Sequence, residues 1–173
     1  MSVNITFLGG TGTVTGSKYL VQHDGKKLLV DCGLFQGYKP PRLRNWNPMP
    51  IAATDVDAVL LTHAHLDHSG YLPLLYRQGF RGRVHATPAT CDLCAILLPD
   101  SGHIQEEDAA FLNRHGYTKH APAMPLYSKH DALLSLQLLK PEREGISFSP
   151  IPGWKATFSH AGHILGAASI LLE

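Results

Sequence analysis

The sequence predicts an α/β fold, and three observations carry that prediction. Asp57 to Thr62 is an almost unbroken apolar run, a pattern that suits a strand covered on both faces. A histidine-rich turn follows at once, and then a helical pattern from Tyr71 to Gln78, with Pro73 tolerable in a first turn and Gly79 suited to a C-terminal cap. Arg83 to Thr87 is the next strand pattern, closed by Pro88. Strand, site, helix and strand in that order form a parallel unit with a right-handed crossover.

The elements before this unit are short. Val3 to Leu8 alternates and meets Gly9-Gly10, so it reads as a strand ending in a turn. Gly9 to Ser17 is rich in Gly and Thr. It lacks the Gly-Lys-Ser/Thr ending of a phosphate-cradling loop, and strand pattern follows it, so it reads as a connection beside a site. Lys18 to His23, the turn Asp24-Gly25 and Lys27 to Asp31 form a hairpin. Asn45 to Pro50 reads as a loop containing Trp46.

After the unit the pattern turns helical from about 90 to 140. The expected helices are Cys91 to Leu98, Ser101 to His115 and Lys129 to Lys140, with a Pro-rich loop, Gly116 to Ser128, before the last. Strand patterns return at Ile146 to Ser149, Lys155 to Ser159 and Ala167 to Leu172. The chain stops at Leu171-Leu172-Glu173 within a strand pattern, which leads to the expectation that it is the N-terminal part of a longer protein.

Composition narrows the function classes. The chain has 173 residues, enough for one domain with an ordinary core (1–173), and 44% hydrophobic with 17% charged residues is a globular composition. Net charge is +1, so a nucleic-acid substrate needs a local basic patch. No charged-then-apolar leader and no run of about 18 apolar residues is present, which excludes a membrane span and leads to a cytoplasmic expectation. Three cysteines do not make a disulfide framework, and Cys91 and Cys94 read as small apolar residues one helical turn apart.

The chemistry lies in Thr62-His63-Ala64-His65-Leu66-Asp67-His68-Ser69. In extended chain, residues two apart point the same way, so His63 and His65 face one side and can share a metal ion. Asp67 and His68 fall where the chain turns into a helix, which aims them at a second point nearby; helix capping is the competing account of Asp67. Nitrogen and carboxylate ligands suit zinc and accept manganese or iron. Burying so many imidazoles without a metal would strand polar groups. A third histidine for the first ion is expected from Ser159-His160-Ala161-Gly162-His163-Ile164-Leu165-Gly166, with His163 preferred because glycines allow a tight turn around it, and His160 as competitor. Asp31 ends the hairpin and is placed to accept a hydrogen bond from a ligand imidazole, fixing its tautomer. Strand packing accounts for His85 and helix capping for Asp92.

His-x-His-x-Asp-His after an apolar strand resembles the signature of the metallo-β-lactamase superfamily. Four further stretches resemble its β-CASP branch of RNA-processing nucleases. They are Leu8 to Ser17; Asp31-Cys32-Gly33-Leu34-Phe35-Gln36-Gly37; Asp100-Ser101 with Gln105-Glu106-Glu107, Leu126-Tyr127 and Asp131; and Gly162-His163-Ile164-Leu165-Gly166-Ala167. Ala167 departs from the serine usual at that place.

The resemblance implies an αβ/βα sandwich, here its N-terminal part, ending before the fourth motif and the β-CASP domain. It implies His63, His65 and His163 on one zinc, Asp67 and His68 on a second, and catalytic service from Asp67 and Asp31. The implied reaction is hydrolysis of an RNA phosphodiester by a hydroxide held between two zinc ions, manganese being an alternative metal. Two further ligands of the family, a bridging aspartate and a late histidine, are not in this sequence, so the expectation for the chain alone is an incomplete, inactive site. Alternatives are a small-molecule metallo-hydrolase of the same fold and a non-catalytic module that binds RNA or a protein partner. An open sheet edge also invites pairing with a second copy.

Overall fold

The structure is a computed structural model that describes residues 2–118, 120 and 122–173. Its centre is a six-stranded sheet in simple sequence order: β1 (Asn4–Gly9), β2 (Lys18–His23), β3 (Lys26–Val30), β4 (Ala58–Leu60), β5 (Arg83–Ala86) and β6 (Leu139–Pro141). The first three strands pair antiparallel, β1 with β2 across the Gly/Thr loop and β2 with β3 across a tight turn, and β3 through β6 pair parallel. Two strands, β7 (Ala156–His160) and β8 (Ala168–Leu172), form a separate antiparallel sheet.

Strand alternation sends side chains to two cores. Leu20, Leu29, Val59 and Val84 pack with the helices, whereas Val21, Leu28, Ala58 and Leu60 pack with Ala156 and Phe158 of the second sheet and with Trp154 just before it. Both faces of β4 are therefore covered, which is why its sequence lacks polar alternation. The architecture is helices on one face of the large sheet and a small sheet on the other. No helix among the described residues is long and apolar enough to cross a membrane.

The helices are α1 (Lys39–Leu43), α2 (Leu66–Ser69), α3 (Leu72–Arg77), α4 (Pro88–His115) and α5 (Lys129–Ser135). α1 and a following 3-10 turn, Arg44–Trp46, lie in a segment that the sequence did not mark as helical. Pro40 and Pro41 hid it, yet proline is accommodated in the first turn, where its missing N–H costs nothing.

Three expectations are corrected. The two helices expected on either side of Pro99 are one 28-residue helix, α4. Proline removes one backbone bond, and the turn around it is held by burial of Cys94, Leu98, Pro99 and Ser101. The helix expected to run to Lys140 stops at Ser135, passes through a 3-10 turn and becomes β6. Pro141 disfavours helix at Lys140, and the open edge of β5 offers parallel partners, Val84 to Leu139 and His85 to Lys140. Ile146 to Ser149 contributes only an isolated bridge, Phe148 to Ala156, instead of a strand. The Pro-rich loop from 116 to 128 includes Lys119 and Ala121, which lie outside the described residues.

The motif spanning Asp100 to Asp131 ties α4 to α5. The Ser101 hydroxyl lies 2.8 Å from the buried Tyr127 hydroxyl, and the Gln105 side-chain Oε1 accepts from the Leu126 N–H at 3.2 Å. Ser128 and Asp131 cap α5 reciprocally. Gly102 sits where the helices touch: a Cβ there would lie 2.8 Å from both the Lys129 nitrogen and the Ser128 carbonyl oxygen. Helix propensity alone would favour alanine by about 1 kcal/mol. Contact with the backbone of a second helix outweighs that, so Gly102→Ala is expected to destabilise the chain by about 1–3 kcal/mol. A urea denaturation midpoint above that of the wild type would contradict this.

Candidate metal centre

Asp31 organises the site from beneath. It follows β3 with φ of +60°, a left-handed conformation that aspartate tolerates better than most side chains, and it is 2% exposed. Its N–H donates to the Leu60 carbonyl at 2.8 Å, which sets it beside the end of β4. Its carboxylate accepts from the Thr62 N–H at 2.8 Å, the Thr62 hydroxyl at 2.9 Å, the Ser17 hydroxyl at 3.1 Å and His68 Nδ1 at 2.7 Å. A buried carboxylate is tolerated only with such partners.

Those contacts dictate tautomers. The Thr62 hydroxyl gives its one proton to Asp31, so it accepts from His63 Nδ1, 2.9 Å away. His63 Nε2 then carries a free lone pair. Likewise, His68 Nδ1 is engaged by Asp31 and only Nε2 remains for a ligand.

The free nitrogens converge. His63 Nε2 lies 3.1 Å from His65 Nδ1, and His163 Nε2 lies 3.2 Å from the same atom. Ligand atoms of the three residues all lie within 4.8 Å of one another. Zinc–nitrogen bonds of about 2.0–2.1 Å in a tetrahedron place neighbouring nitrogens about 3.3 Å apart, so the cluster has the spacing a metal ion requires. Asp67 and His68 sit alongside: His68 Nε2 is 3.6 Å from an Asp67 carboxylate oxygen, and the His68 ring is 4.0 Å from that of His63.

His163 is the histidine that the loop after β7 delivers. His160 is the last, exposed residue of β7, paired with Ala168, and is not in the cluster. The loop is clamped by the start of α4: the Thr87 and Thr90 hydroxyls donate to the Gly166 carbonyl at 2.6 and 2.9 Å. Gly166 has φ of +77°, and a Cβ there would meet the Thr90 nitrogen at 2.6 Å. The Thr62 carbonyl accepts from the Ala168 N–H at 2.9 Å, which joins the loop's far end to the histidine motif.

The opening Gly/Thr loop and the Asp31–Gln36 stretch hold α2 in place. Ser17 N–H donates to the Asp67 carbonyl at 2.8 Å, Cys32 N–H to that of His68 at 2.7 Å, and Leu34 N–H to that of Leu66 at 2.9 Å. Gly33 packs so closely that a Cβ would strike the Asp67 carbonyl. The buried Lys18 donates to the Gly33 carbonyl and lies 4.8 and 4.6 Å from the ring centres of Phe35 and Tyr71. Burial pulls its pKa down to about 8.

Capping does not account for Asp67. His65 is the N-cap of α2, and Asp67 lies inside its first turn. Nor does Asp92 cap α4, whose cap is Thr87. His85 is buried in β5, stacked on Phe148 and bonded to Glu142 at 2.9 Å. Burial pushes the Cys91 and Cys94 thiols up to about 11 and 12, which keeps them protonated packing residues. Sequence reasoning missed Thr62, Ser17, Lys18, Thr87 and Thr90, whose roles come from distant partners.

Two neighbouring histidines are driven in opposite directions. Burial, then the nearby charge of His68, holds His63 down at about 4. Burial also penalises His68, but its hydrogen bond to Asp31 together with the negative charges of Asp31 and Asp67 more than offsets that and raises it above the ordinary 6.5. In the metal-free protein, nitrogen-detected NMR titration is expected to show His63 neutral to about pH 4 while His68 loses its proton above 6.5. The stability effects have opposite signs. As pH falls from 6.5 to about 4, the unfolded chain takes up a proton that His63 refuses, which lowers stability; the contribution of His68 is full below 6.5 and fades as pH rises through its folded value. A single shared titration near 6.5 for both rings would contradict this arrangement.

Comparisons with known proteins bear on the family and the fold. The family model described as Metallo-beta-lactamase superfamily matches residues 11–89, which hold the opening loop, Asp31 and His63 to His68. The chain is 36% identical over 171 residues to Ribonuclease TTHA0252 of Thermus thermophilus, covering 99% of this chain and 35% of that protein. It is 31% identical over 166 residues to Transcription termination factor FttA of Methanocaldococcus jannaschii, covering 96% of this chain and 24% of that one. The chain thus spans about a third of the length of the first and about a quarter of the second. Rm3 metallo-beta-lactamase shares the fold, with a TM-score of 0.57 at 24% identity over 98% of this chain and 53% of that structure. Fold, motif and near end-to-end similarity lead to one conclusion: the chain belongs to the metallo-beta-lactamase superfamily, whose members bind divalent metal ions.

Proposed function

We propose that the chain carries the first metal site, and part of a second, of a zinc-dependent ribonuclease of the β-CASP branch that hydrolyses RNA phosphodiesters in the cytoplasm. The observation that carries this reading is the convergence of His63 Nε2, His65 Nδ1 and His163 Nε2 beside the Asp67–His68 pair, in a chain similar over 99% of its length to a protein named as a ribonuclease.

His63, His65 and His163 would hold one ion, and Asp67 and His68 would contribute to the other. Bound divalent ions would polarise phosphate oxygens and activate water for attack on phosphorus. The protein's own contribution is orientation. Asp31 and Thr62 fix the tautomers of His68 and His63, so that the lone pairs already point inward. Asp67, partly exposed at the rim, would orient the attacking water and accept its proton. Three ligands for the first ion and two for the second make the first site the tighter, so the chain by itself is expected to bind zinc at the first site and to cleave little or no RNA.

Metal analysis after dialysis against trace zinc tests the site. The wild type is expected to retain zinc and His63→Ala/His65→Ala to lose it; equal content in both would remove the proposed ligands. Asp31→Asn tests the support beneath, since asparagine also tolerates positive φ but offers His68 an amide N–H where it now meets a carboxylate. It is expected to bring the His68 titration down toward or below 6.5 and to weaken metal binding about 10–100-fold. Unaltered affinity in that variant would show that Asp31 serves the backbone alone.

A further inference from the structure

We propose that the cleft between the Tyr38–Trp46 arm and α4 binds single-stranded RNA next to the metal centre, with phosphates on Lys39 and Arg42 and bases on Trp46 and the apolar floor; this rests on the nuclease reading above. The cleft measures about 720 Å3, room for a short run of nucleotides. Its floor is Leu34, Phe35 and Leu66. Leu66 lies between His65 and Asp67 in sequence, and its carbonyl accepts from the Leu34 N–H at 2.9 Å, so the floor is one residue away from two residues of the proposed metal site.

The arm has the chemistry of a single-strand platform. Its sequence, Tyr-Lys-Pro-Pro-Arg-Leu-Arg-Asn-Trp, holds three cations and no acid, in a chain whose net charge is only +1. This is the local basic patch that a near-neutral protein needs to hold nucleic acid. Arg44 is spent on the Phe35 ring, 4.0 Å away, but Lys39 and Arg42 have no ion-pair partner among the described residues. Trp46 is 54% and Leu43 50% exposed, and both line the cleft. Bases stack on such surfaces whatever their identity while cations track the backbone. A duplex hides its base faces, so the apolar floor selects unpaired strand. Asp108 on the α4 wall repels phosphates, which places the backbone of the strand on the arm's side.

The arm is also fixed relative to the metal centre. The buried Asn45 side chain donates to the Phe35 carbonyl at 2.8 Å and accepts from the Phe35 N–H at 2.9 Å. Phe35 belongs to the same stretch as Asp31. A strand held on the arm would therefore meet the ligand cluster in a set register.

The test is fluorescence anisotropy of a labelled short oligouridylate in EDTA, so that neither metal nor cleavage enters, with zinc content measured in parallel without EDTA. Lys39→Ala/Arg42→Ala is expected to weaken binding at least about tenfold and to lower the slope of log affinity against log salt by about 1.4, the value for two single-strand phosphate contacts. Trp46→Ala is expected to weaken it about fivefold or more, and Trp46→Phe to restore most of it. Zinc content stays at the wild-type level in all three. Affinity and salt slope unchanged in these variants would overturn the proposal. So would a wild type that holds zinc and does not bind the oligonucleotide, which would leave the cleft to a polypeptide. Failure of the nuclease reading shows separately, as zinc content that does not depend on His63 and His65, while the cleft variants still lose oligonucleotide.

Discussion

The site depends on one buried carboxylate. Asp31 joins the end of β3 to the end of β4, holds Ser17 of the opening loop, and engages Thr62 and His68 at once. Its left-handed backbone costs about 1–2 kcal/mol, which the surrounding hydrogen bonds offset. The return is orientation. Two imidazoles, reached through different oxygen atoms, are locked in the tautomer that presents Nε2 to a ligand. Free rotation of either ring would leave lone pairs pointing into protein, and metal binding would first have to reorganise them.

The layered architecture supplies the rest of the geometry. β4 is covered on both faces, so its C-terminal end is a rigid point from which His63 and His65 project. His163 arrives from the second sheet, on a loop that α4 clamps through Thr87 and Thr90 at Gly166. His63 is thus held through Thr62 by Asp31 at the end of β3, and the loop that carries His163 is held by the start of α4. The loop has no room to drift, because a side chain at Gly166 would already collide with the helix start.

The electrostatics separate roles within a few ångströms. His63, buried and near the charge of His68, stays neutral, whereas His68, held by Asp31, favours its proton. Lys18 is a buried cation of another kind. It sits between two aromatic rings and holds the Gly33 carbonyl, so it braces the stretch against which α2 packs. The positive charge of the arm beyond it, at Lys39 and Arg42, remains exposed.

The sequence by itself determined the strand–motif–helix–strand unit and the ligand types. Both rest on short-range rules: side-chain period within a strand, glycine and proline punctuation, and His and Asp at close spacing. The same rules favoured His163 over His160 but could not place either ring. Only tertiary structure decided what depends on distant partners. Lys140 extended because β5 had an open edge, α4 ran through Pro99 because its neighbours were buried, and Asp67 was freed from capping because His65 took that position. Thr62, Ser17, Thr87 and Thr90 carry no signal in the sequence, since a hydroxyl gains its meaning from the atom it meets. The cluster from His63 to His68 was legible from spacing. Its closure by His163, 98 residues from His65, was made by packing.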